Sequence, residues 1–169
     1  MSKSAAGGIS HHFYRLMFTE KISPDKINPL ETIQNLYRFY DLTGIKKMFR
    51  KFCEAAIAEK YSWNEGAPGN LLYFYEQLEG LIEACYLIYI KRKNNKGEVK
   101  KNQALFLPVI TEFFEQQSLP EWKLSIHLWM EAALSNFSVA ESIEVKEILP
   151  YYQNIEKLLE AAYLLTLKT

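Results

Sequence analysis

Apolar side chains recur along this chain every third or fourth residue. Ile45, Phe49, Phe52 and Ala56 fall at i, i+4, i+7 and i+11, and Trp122, Ile126, Trp129 and Ala133 repeat that spacing. Such a period places one side chain per turn on a single helix face. The segment carrying Leu71, Leu78, Ile82, Cys85 and Tyr89 is apolar nearly all round, which predicts a central helix. No segment shows a convincing strand pattern, so the chain is expected to be all-α, a bundle of six to seven helices.

Capping and breaking residues divide this pattern. Asn28-Pro29-Leu30-Glu31 combines an N-cap, a first-turn proline and a capping-box glutamate, and predicts a helix running to about Asp41. Gly44 marks a break, and a second helix follows over about 45–61. WNEGAPGN, residues 63–70, reads as a loop whose Pro68-Gly69-Asn70 opens a long third helix to about 93. The polar, basic stretch KRKNNKGEVKK, 91–101, is the expected linker. A fourth helix is predicted over about 102–117, shortened by Pro108. Ser118-Leu119-Pro120-Glu121 opens the next, over 120–136. Ser138-Val139-Ala140-Glu141 is a further capping box, expected to start a short helix to about 149, with Pro150 beginning or kinking the last one. Residues 1–22 form an N-terminal arm, in which 10–22 suit either a short helix or an extended segment.

The two strongest helical segments resemble each other. LEGLIEACYLIYIK (78–91) returns as IEKLLEAAYLLTLK (155–168). Set in register without gaps, Leu30 against Leu107, the segments 30–91 and 107–168 are identical at 16 of 62 positions, in three separate clusters. The loop 60–70 matches nothing in 137–147. The pattern predicts an internal duplication within a single domain, 1–169. Two three-helix halves, about 28–93 and 102–168, would be related by a pseudo-two-fold axis. The small pairs Ala55-Ala56, Ala132-Ala133, Ala84-Cys85 and Ala161-Ala162 fall where the copies match best, and are expected at close helix crossings.

Composition narrows the class further. The 169 residues carry no net charge, yet residues 1–101 hold 16 Lys/Arg against 11 Asp/Glu, while 102–169 hold 4 against 9. Halves of opposite sign attract each other, and a basic surface could also meet an acidic partner. Cys53 and Cys85 lie in helical patterns and read as reduced core thiols. The N-terminus lacks the apolar core of a secretory signal. The longest apolar run, Ala84–Ile90, is far shorter than the roughly 20 residues that cross a bilayer. No membrane association is expected, and a cytoplasmic location is the default.

One constellation carries candidate chemistry. Tyr75, Glu79, Glu83 and Tyr86 lie within an arc of about 80° on the third helix, and the same types recur as Tyr152, Glu156, Glu160 and Tyr163. Carboxylates on a central helix must be paired or hydrogen-bonded. Lys46, Arg50 and Lys123 could satisfy them and fix helix register. Alternatively, two facing stripes would line an acidic, aromatic groove suited to a cationic or amine-bearing ligand. A metal site would draw on Glu54, Glu83, Glu131 and Glu160, but the Glu-x-x-His of di-iron bundles does not occur. His127–Glu131 and its counterpart Arg50–Glu54 read as i, i+4 surface pairs.

No GxxxxGK[ST], GxGxxG or CxxC is present, and no cofactor or catalytic residue is implied. The favoured reading is a cytoplasmic, non-enzymatic interaction or regulatory module that binds a protein partner or itself. Small-molecule or metal binding through the Tyr/Glu stripes is the alternative. Nucleic-acid binding through the linker lysines and Lys46, Lys47, Arg50 and Lys51 is a third and weaker one. The aromatic runs Tyr37–Tyr40 and Leu71–Tyr75 would imply a partner surface if exposed together.

Overall fold

The computed structural model describes residues 27–95 and 97–167; the predicted arm, 1–22, lies outside them. Six α-helices are formed: α1 (Pro29–Phe39), α2 (Leu42–Ile57), α3 (Pro68–Asn94), α4 (Phe106–Gln116), α5 (Leu119–Ala133) and α6 (Val145–Leu164). Single 3₁₀ turns at Lys101–Gln103 and Val139–Glu141 precede α4 and α6. Among the described residues no strand is formed, and no helix is long and apolar enough to cross a membrane.

Local chemistry explains most helix starts. The Asn28 side chain accepts from the Glu31 N–H, and Asp41 accepts from the Gly44 N–H at 2.6 Å. Gly44 is therefore not the break expected of it; it sits in the first turn of α2, where a Cβ would come within 3.0 Å of the Asp41 carboxylate. The Ser118 hydroxyl and N–H both donate to Glu121 at the start of α5, which holds that carboxyl below the usual range. α4 starts at Phe106 rather than near 102, which leaves Pro108 in its first turn, where N–H groups have no helical acceptor.

Two expectations near the C-terminus are corrected. Ser138–Glu141 yields one 3₁₀ turn rather than a short helix, and the last helix begins at Val145, capped by a Glu144–Glu147 box. Pro150 thus lies inside α6, where the bond to the Lys146 carbonyl is lost. The linker is also shorter than its composition suggested. Lys91, Arg92 and Lys93 form the last turn of α3, where cations oppose the negative end of the helix dipole. In the loop before α3, Gly66 adopts φ +99°, and a Cβ there would meet the Asn70 amide at 2.1 Å.

The core is one continuous cluster. The predicted faces of α2 and α5 are buried throughout, and α2 and α5 form a central packed pair. Each also packs on the long helix from the other end of the chain, α2 on α6 and α5 on α3. Outside these, α1 lies on α3 and α4 on α6. All four small-residue pairs are buried in this core. Cys53 and Cys85 are free, and burial pushes both thiols up.

Candidate functional site

The Tyr/Glu stripe of α3 meets α5, and that of α6 meets α2. The stripes therefore do not face each other across a common groove; each is met by the middle helix of the opposite three. On α3, Lys123 from α5 reaches both carboxylates: its Nζ lies 3.4 Å from Glu79 and donates to Glu83. The Tyr75 hydroxyl donates to Glu79 at 3.2 Å and lies 3.5 Å from His127 Nδ1. His127 Nε2 in turn lies 3.2 Å from Glu131. A continuous polar chain thus runs from the surface at Glu131 through His127, Tyr75, Glu79 and Lys123 to Glu83.

On α6 the same contacts recur with matching residues. Lys46 from α2 lies 3.2 Å from Glu156 and 2.5 Å from Glu160. These bonds, led by that to Glu160, hold the Lys46 ammonium above its usual range. The Tyr152 hydroxyl donates to Glu156 at 3.4 Å, and burial followed by the Glu156 charge raises it. Arg50 takes the place of His127 and pairs with Glu54 at 3.9 Å.

The two clusters differ in burial. The side chains of Lys123, Glu79 and Glu83 are 4%, 6% and 0% exposed, against 30%, 29% and 50% for Lys46, Glu156 and Glu160. Every residue of α3 from Leu78 to Cys85 is buried, whereas α6 keeps Lys157 and Glu160 in solvent. Buried Gly80 occupies the α3 position that corresponds to exposed Lys157.

Tyr86 and Tyr163 also make ring contacts with the outer helices. Tyr163 packs edge-on against Tyr37 of α1 at 5.3 Å, and Tyr86 packs edge-on against Phe114 of α4 at 5.2 Å. The four glutamates considered for a metal are also dispersed, with Glu54 on Arg50 and Lys51, Glu83 on Lys123, Glu131 on His127 and Glu160 on Lys46. Among the described residues no group of three or more His, Cys, Asp or Glu is placed to hold a metal ion.

Of the three cations expected to satisfy the stripe carboxylates, Lys46 and Lys123 lie on them, whereas Arg50 pairs with Glu54 instead. The two lysines occupy corresponding positions when 30–91 is set against 107–168. The chain matches no protein-family model, no curated protein and no solved structure.

Proposed function

We propose that the chain is a duplicated, non-enzymatic helical module that acts by associating with a protein, in the first instance itself. The observation that carries this reading is an exposed aromatic corner where α1 ends and α3 begins. Phe39 is 68% exposed, Leu72 and Tyr73 are exposed beside it, and the Phe39 ring contacts both Tyr40 and Tyr73. Clustered rings held in water are better explained by a partner than by folding.

The lysine clamps support the same reading from the other side. With Lys123 and Lys46 seated on the stripe carboxylates, the stripes serve packing and register rather than an open acidic groove for a cationic ligand. The duplication is supported by the helix starts. Those at Pro29, Leu42 and Pro68 recur in the same order and at the same spacing at Phe106, Leu119 and Val145. It is supported further by the two matched polar chains. Two buried free thiols are in keeping with a cytoplasmic setting. Nucleic-acid binding is less favoured, since Lys46, Arg50 and Lys51 each pair with a carboxylate and leave it mainly Lys47 and the linker lysines.

Sedimentation velocity over rising concentration tests the proposal. The wild type is expected to gain mass, and Phe39→Ser/Tyr73→Ser to remain a monomer with unchanged helicity. A wild type that stays monomeric throughout removes self-association. A metal, amine or nucleotide that raises Tm only while Glu83 and Glu160 are present would replace the module with a ligand-binding bundle.

A further inference from the structure

A pocket of about 350 Å³ opens where the end of α4 meets α5 and α6. Buried Trp122, Trp129 and Tyr151 form its deeper wall, and the amides of Gln116, Gln117 and Asn154 stand nearer solvent. Asn154 Nδ2 donates to Gln116 Oε1 at 2.7 Å, and the Ser125 hydroxyl donates to Gln117 Oε1 at 3.4 Å. Among the described residues, no hydrogen bond is formed by the Gln117 amide nitrogen or the Asn154 amide oxygen. The wall thus keeps one donor and one acceptor to offer. Lys146 and Glu147 at the same pocket contribute one charge of each sign.

We propose that this pocket binds a small, uncharged, planar molecule with a donor and an acceptor on one edge, the chemical class of a nucleobase or an aromatic carboxamide. A volume at the low end for small-molecule sites limits the ligand to about one ring system. Aromatic side chains favour a flat ring over an aliphatic chain. Amide side chains can both donate to and accept from the polar edge of such a ring. A wall without net charge gives no compensation for desolvating a free phosphate or carboxylate.

The rest of the molecule supplies a comparison, which rests on the duplicated reading above, although the pocket itself does not. In the register of the repeat, Gln116, Gln117 and Pro150 are the counterparts of Phe39, Tyr40 and Tyr73. The corner that carries three contacting rings near α1 carries two amides and a proline near α4. One corner of the fold presents rings outward, and its counterpart has exchanged them for a recess.

Titration of the full chain with nicotinamide, uracil and uridine monophosphate, followed by calorimetry and tryptophan fluorescence, tests the site. Trp122 and Trp129 are two of the three tryptophans, so occupancy is expected to change emission. At least one neutral probe is expected to bind at millimolar concentration or below, more tightly than the monophosphate. Gln117→Tyr, which restores the ring of the other corner, and Asn154→Leu are each expected to weaken binding about tenfold or more. No binding by either neutral probe, equal binding of the monophosphate, or unchanged affinity in both variants overturns the proposal. Should a Gln117→Tyr chain no longer melt cooperatively, the wild-type and Asn154→Leu titrations decide the pocket.

Discussion

Lys123 and Lys46 each hold a pair of glutamate carboxylates, Glu79 and Glu83 for the one and Glu156 and Glu160 for the other, yet one cluster is almost dry and the other is wet. The comparison separates residue identity from environment. Both clusters combine a lysine with two glutamates one turn apart and a tyrosine one turn before them. Only the dry one lies on a helix buried on every side for two turns. A buried ion cluster contributes little over an apolar replacement of the whole group, but removing one partner strands the rest. An exposed cluster can lose a member to water at little cost.

The largest expected effect follows directly. Lys123→Met leaves Glu79 and Glu83 without their ammonium inside the core, and should lower unfolding free energy by about 3–5 kcal/mol in urea titrations. A loss no greater than that of the exposed copy would erase the distinction between the two. Lys46→Met, the matching change, should cost at most about 1 kcal/mol, because its partners remain hydrated.

Salt and pH sharpen the contrast. The Lys46 contribution should shrink in molar salt, whereas that of Lys123 should persist. Because its carboxylate partners raise Lys46 above the unfolded value of about 10.5, its stabilising effect is complete below that pH and fades as pH rises through the higher folded value. Comparing wild type with Lys46→Met from neutral to strongly alkaline pH measures this. The smallest effect should be that of His127→Arg, which copies Arg50 into the buried chain. His127 is largely solvated, so a change within about 0.5 kcal/mol is expected.

The helices were legible because period and caps act locally. The faces of α2 and α5, and the starts of α1, α3 and α5, follow from residues within a turn of each other. Gly44 misled because glycine suits a first turn as well as a break, and only the position of the cap decides. The Tyr/Glu stripes were also legible as stripes. Lys46 and Lys123 were legible as candidate cations, but which stripe each would meet was not, since a helical wheel gives an azimuth without naming the helix that meets it. The burial difference did leave a trace, in Gly80 against Lys157. The pocket was hidden at Gln116, Gln117 and Pro150, positions where 30–91 and 107–168 differ and which identity counting passes over.

The Tyr37 hydroxyl donates to the Leu159 carbonyl at 2.5 Å, joining α1 to α6 across 122 residues of chain. Its ring also lies on Tyr163. During synthesis α1 emerges early, yet this anchor is made only after α6 has left the ribosome. The first three helices must therefore wait with part of their apolar surface uncovered until the last one arrives. Contacts so distant in sequence slow closure, and a chain truncated before α6 would be left with that seam open to whatever else is in the cell.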